Sequence, residues 1–231
     1  MVYVPNGSDV EYEGQSAALV AGLGETEDAR VYSHSGIDFI SLARVAIKTL
    51  AFGNRSQGGG STITQQLAKN LFPRNELSYS NPFMLVITKL KAWVTAVKLE
   101  YNYTKEEIIA MYLNTVFYGS NSYGIKAAAQ TCFDKAPAEL NVQEAALLVG
   151  VVNAPTRYSP VRNPERALER RNVVMERMVQ NHYIPGPVLD SLCALPIDLR
   201  YSPVSHNDGT ATYFRDMIRN VLNMPRPTRK G

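Results

Sequence analysis

This 231-residue sequence has only two cysteines, three histidines and one tryptophan, and each scarcity removes a class of protein. Cys132 and Cys193 cannot build a framework of bridges, and one pair in so long a chain reads equally well as two buried thiols. No spacing among the histidines and cysteines matches a metal-ligand pattern. The longest apolar runs, at 17–23 and 145–152, are too short to span a bilayer, and residues 1–20 lack the basic-then-apolar order of a signal peptide. A net charge of +3 is too small to argue for nucleic acid, although it suits a surface that meets anionic lipid or pyrophosphate. Convincing strand alternation and internal repeats are also missing, and nothing resembles a disordered tract.

What remains is a chain of 45% hydrophobic residues, enough for one domain with its own core, whose periodicity is helical. Residues 1–15 look like a lead-in. Asp38 reads as the N-cap of a helix through Leu50, with Phe39, Leu42, Ala43, Ala46 and Leu50 on its apolar face. From Phe83 to Glu100 a stripe of Phe83, Val86, Ile87, Leu90, Trp93, Val94 and Val97 has helical period, flanked by Lys89, Lys91 and Lys98. The stripe reads as core, with a partly lipid-facing role as the alternative. Thr104 and Glu107 form a capping box that opens a helix ending near Gly119. A strongly apolar helix runs from Leu140 to Val152, Asn163-Pro164 opens a long arginine-bearing one, and a short one holds Cys193. The fold is expected to be mainly α.

Two stretches carry candidate chemistry. In the first, Gly58-Gly59-Gly60 precedes Ser61 and Thr62, and Thr62 and Gln65 have capping-box spacing, so a short helix starts there and Phe72-Pro73 stops it. Thr62, Gln66 and Lys69 fall on one helical face, which is either a ligand-binding face or ordinary solvated surface. The loop is not of the Walker type. In the second, Glu25, Glu27 and Asp28 follow an apolar run and precede His34. They are either a solvated helix end or a site where burial raises a carboxylate's pKa toward the range useful to a general base.

Taken in order, these pieces resemble the glycosyltransferase domain of class A penicillin-binding proteins and monofunctional peptidoglycan polymerases, the family 51 glycosyltransferases. The likeness runs from about Ala17 to about Arg215 and rests on five blocks: Glu27 to Gly36, Gly58 to Asn70, Lys89 to Glu100, Ile108 to Gly119, and Glu144 to Pro160. It implies a lysozyme-like helical lobe with a smaller membrane-associated jaw lobe. The implied organisation is a lead-in at 1–15, the glycosyltransferase domain at 16–215, and at 216–231 a tail or severed linker to an absent domain. The implied reaction joins lipid II to a growing glycan strand with inversion and loss of undecaprenyl pyrophosphate. Glu27 would be the general base, and Asp28 and His34 would orient its block. Ser61, Thr62, Gln65, Gln66, Lys69, Lys89 and Asn114 would bind substrate. The resemblance alone implies a divalent cation, Mg²⁺ or Mn²⁺. It also implies the outer face of a bacterial cytoplasmic membrane, with the anchor outside this chain, and other cell-wall synthesis proteins as partners.

The chain departs from the pattern in one consequential place. The family's third block carries a second glutamate, and Ala92 occupies that position, opposite the apolar stripe on the helical wheel. Thr88 stands where many members have arginine, and Val31 where many have phenylalanine. Glu100 is about 80° round the helix from Ala92 and is not expected to substitute. Two alternatives to full transferase activity follow: a lipid II-binding or scaffolding domain, which Ala92 favours, and a lysozyme-like muramidase, which the Gly60 to Gln66 block disfavours.

Overall fold

The apolar periodicity resolves into nine α-helices, with no strand among the described residues, in a computed structural model that describes residues 9–52, 60–71 and 82–202. Gly58, Gly59, the Phe72-Pro73 stop, most of the lead-in and the tail at 216–231 lie outside the described residues. In order the helices are α1 (Ala17–Glu27), α2 (Phe39–Phe52), α3 (Ile63–Leu71), α4 (Pro82–Asn102), α5 (Lys105–Thr115), α6 (Ile125–Phe133), α7 (Val142–Asn153), α8 (Pro164–Gln180) and α9 (Leu189–Ala194).

The core is built on α1, α7 and α8, which pack on one another, with α3 against α4 and α5. Its contributors from α7 span the whole helix circumference, since Ala145 to Val152 are all buried. That is why this segment carries no polar face in sequence. The capping box of α5 forms as its spacing demands, with Thr104 Oγ1 accepting from Glu107 N at 3.2 Å and Glu107 Oε2 accepting from Thr104 N at 2.7 Å. A second box, Asn141 with Glu144, opens α7. Asn163 precedes α8 as expected, but its side chain donates to Thr156 O instead of capping.

Three expectations need correction. First, α5 ends at Thr115 and not near Gly119, because residues 116–124 fold into a tight turn closed by a Phe117–Tyr123 bridge, with Gly119 at φ +85°. Second, the apolar face of α2 is not core. Phe39 is 68% exposed, Ala43 and Ala46 are exposed, and Leu42 is half-buried.

Third, the α4 stripe points outward. Phe83, Val86, Leu90, Val94 and Val97 are between 45% and 70% exposed, and only Ile87 and Trp93 are half-buried. The protein-facing side of α4 is the charge-poor arc: Ala96 is fully buried and Ala92, one turn before it, is half-buried. The small side chains explain the choice. Gly36, at φ +88°, lies so close to the Ala96 backbone that a Cβ there would come within 3.0 Å of it, so this face of α4 must be smooth. Helical period cannot tell an apolar face that meets protein from one left facing outward.

Candidate active site

Glu27 ends α1 where the helix meets a cleft of about 1280 Å³, lined by residues from α1, α2, the start of α3, the end of α7 and α8. Its carboxylate is mostly withdrawn from solvent, at 10% exposure. Two neutral amides donate to it, Gln66 Nε2 to Oε2 at 3.1 Å and Asn153 Nδ2 to Oε1 at 3.4 Å, while the Arg170 guanidinium stands 3.9 Å from Oε1. Arg170 is lowered from its ordinary value first by burial, with the Glu27 charge opposing, and an arginine so placed keeps its charge. Its Nε is buried without a protein partner, and its head lies 5.6 Å from the centre of the Tyr158 ring, with Arg157 at 5.5 Å from the same ring. Glu25, two residues before Glu27, is raised by burial against an opposing hydrogen bond from Asn181.

The start of α3 is held against this carboxylate by a buried network. Asp28 accepts from Ile63 N at 3.1 Å and meets His34 Nε2 at 3.0 Å, so it ties the α1 end to the α3 start. Thr62 Oγ1 donates to Gly36 O at 2.7 Å and accepts from Gln65 N, while Gln65 Nε2 also reaches Gly36 O. Half of the expected capping box therefore forms, and the Gln65 side chain closes a different contact. Behind α3, Glu100 accepts from Thr64 Oγ1 at 2.6 Å and pairs with Lys105 at 2.6 Å, and Lys105 also donates to His34 O.

On the other wall, Asp38 is clamped. Burial alone would raise its carboxyl, but the Ser41 hydroxyl and N–H and the bidentate Arg30 guanidinium outweigh burial and hold it at about 2. A folded-state value below the unfolded one contributes stability above the unfolded pKa that is lost as pH falls. Between about pH 4 and pH 2 the chain is expected to lose about 1–2 kcal/mol from this group, discounted for the 31% exposure of Arg30. In Asp38→Asn that part of the acid dependence should vanish from urea-unfolding curves.

A family model described as transglycosylase matches residues 3–179. Penicillin-binding protein 1A of Aquifex aeolicus is 39% identical over 85% of this chain and 26% of its own length. The chain belongs to the transglycosylase family. Penicillin-binding protein 1A of Haemophilus influenzae is 40% identical over 88% of this chain and 23% of its own. The crystal structure of that protein aligns with 52% of this chain and 17% of its own, at 37% identity and a TM-score of 0.42, so the family assignment rests on the sequences. The transglycosylase chain spans about a quarter of the length of these curated relatives.

Of the site residues expected from sequence, Glu27, Asp28, Ser61 and Thr62 line the cleft, and Gln66 reaches it through Glu27. The others are placed differently. Thr62 and Gln65 are 2% and 1% exposed and spend their polar atoms on the Gly36 turn, so they position α3 and do not offer a free face. His34 is likewise committed to Asp28. Asn114 binds both the N–H and the carbonyl of Val10, which makes it an anchor for the lead-in. Lys69 is half-buried on α3, and Lys89 is exposed on α4. Ala92 is not among the residues lining the cleft. Sequence reasoning missed Asn153, Tyr158, Arg170 and Arg177, which join the cleft from α7, α8 and the turn between them. Asn153 lies 126 residues from Glu27, and only the Glu144 to Pro160 block of the resemblance pointed near it.

Proposed function

We propose that this chain is a peptidoglycan glycosyltransferase that lengthens a glycan strand from lipid II. The acceptor sugar's 4-hydroxyl attacks the donor's anomeric carbon, the new C–O bond forms as the bond to pyrophosphate breaks, and Glu27 takes the hydroxyl proton. Undecaprenyl pyrophosphate leaves and the anomeric centre inverts. The observation that carries this reading is Glu27 itself. It is a largely buried carboxylate at a polar cleft, neutral amides donate to it, and the Arg170 guanidinium stands at 3.9 Å, too far to donate a hydrogen bond, which suits a carboxylate that acts as a base. Arg170, short of hydrogen-bond acceptors, and Arg44, exposed on the cleft wall, suit an anionic substrate.

The divalent cation implied by the resemblance finds no ready-made protein site. Among the described residues no group of three His, Cys, Asp or Glu comes together, and Asp28 and Asp38 are satisfied by protein donors. A cation here would take most of its ligands from the pyrophosphate, and no step of the transfer is routed through it.

The exposed apolar residues of α2 and α4, with Lys89, Lys91 and Lys98 exposed beside them, support a surface that lies in the headgroup region on the outer face of the cytoplasmic membrane. No described helix is long and apolar enough to cross a bilayer. Val86→Asp with Val94→Asp is expected to weaken sedimentation with anionic vesicles at least tenfold while leaving the melting temperature within about 2 °C, since both side chains are already more than half exposed.

A second reading, binding of lipid II without efficient transfer, is favoured by Ala92. Incubation with labelled lipid II and, separately, with finished peptidoglycan tests both. Polymer supports the transferase, binding without product supports the second reading, and soluble muropeptides would overturn both.

A further inference from the structure

Behind the carboxylate runs a hydrogen-bond chain that the reaction as derived does not use. Tyr112 on α5 is 1% exposed, and its hydroxyl donates to Gln66 Oε1 at 3.0 Å, while the other end of the same amide donates to Glu27 Oε2 at 3.1 Å. The chain has one self-consistent polarity. A carboxylate only accepts, so the Gln66 NH₂ must face Glu27, its carbonyl must face Tyr112, and the phenol must donate. We propose that Tyr112 is a positioning residue that locks the Gln66 amide and, through it, the Oε2 side of Glu27. The proposal rests on Glu27 being the general base.

Two features make the lock durable. Tyr112 is raised well above its ordinary range, first by burial and then by the Glu27 and Tyr118 groups, so the hydroxyl keeps its proton at every working pH. Gln66 is half-buried on α3, and α3 is itself pinned by Asp28 and Thr62, so the amide's remaining freedom is rotation of its own side chain. Without the phenol the amide can turn and bring a carbonyl to a carboxylate, which is repulsive. With it, Oε2 is held by the shorter contact, while Oε1 meets only the longer ones, Asn153 at 3.4 Å and Arg170 at 3.9 Å.

Glu27 is faced by Gln66 from α3, Asn153 from α7 and Arg170 from α8. Arg177 holds the Thr26 carbonyl, Glu25 and Asp28 flank it in sequence, Tyr158 lies beyond Arg170, and Lys69 is one turn further along α3. Gln66 itself apart, none of these is altered by the variants that test the lock. The Glu27 carboxyl is followed by NMR on protein carrying isotope-labelled glutamate, its resonance assigned as the one lost in Glu27→Gln. Tyr112→Phe is expected to move its midpoint up by about 0.5–1 unit, because the Gln66 hydrogen bond to the charged form is no longer held in place. Gln66→Leu should move it at least as far, and the double variant no further than Gln66→Leu alone, since both act through one amide.

An unmoved midpoint in folded Tyr112→Phe, or shifts that add in the double variant, would overturn the proposal. Should Tyr112→Phe fail to fold, a fluorinated tyrosine placed at 112, a stronger donor of the same shape, must lower the midpoint; no movement then overturns it equally. Transfer from lipid II separates the two layers in an Ala92→Glu background. If Glu27→Gln keeps transfer, the general-base reading falls and the proposal with it. If Glu27→Gln loses transfer while the midpoint ignores Tyr112, the proposal alone falls.

Discussion

Replacing Ala92 with glutamate is expected to raise polymerisation of lipid II by about a hundredfold, because a carboxylate acting in the transition state contributes about 3 kcal/mol or more. The structure puts the position on the inward side of its helix, outside the lining of the cleft around Glu27. Ala92 is half-buried on the protein-facing side of α4, one turn before fully buried Ala96, and opposite the outward stripe. No neighbour on the helix stands in for it. Glu100, the obvious candidate, is 6% exposed, with Oε1 taken by the Thr64 hydroxyl and Oε2 by Lys105, both at 2.6 Å. Pulling it toward substrate would break both contacts and leave Lys105 with only the His34 carbonyl. Gel analysis of labelled product distinguishes the outcomes: longer and more abundant glycan in Ala92→Glu supports the assignment, and an unchanged product ladder would end it.

Glu27→Gln in that restored background should remove the gain, lowering transfer by about 10²–10⁴ while substrate binding persists. The glutamine is isosteric, so it can still accept from Gln66, and the cleft keeps its shape. What disappears is the ability to take a proton. If the drop came instead from lost binding, Glu27 would be a substrate clamp, and a titration of bound lipid II would show it.

Legibility from sequence followed the range of the interactions. The Thr104–Glu107 box, the start of α8 at Pro164 and the short α9 around Cys193 were readable because each depends on partners within a few residues. Motif order did the same for the family: the Glu27 to Gly36 and Gly58 to Asn70 blocks are two of the five that carry the resemblance. The Thr62, Gln66 and Lys69 face marks the limit of such reading. A helical wheel shows which residues share a side of a helix, but not that Thr62 would be consumed by the Gly36 carbonyl.

The sequence by itself determined the mainly helical class and the family, since these depend on periodicity, capping and residue order. Only the tertiary structure decided which apolar faces are buried, because burial depends on what another segment brings to that face. On α4 the smooth Ala92–Ala96 side meets the Gly36 turn, and the large apolar residues are left outside. The same holds for the site. Glu27 acquires its surroundings from Gln66, Tyr112, Asn153 and Arg170, residues on four other helices, brought together by the packing of α1 on α7 and α8 and of α3 on α5.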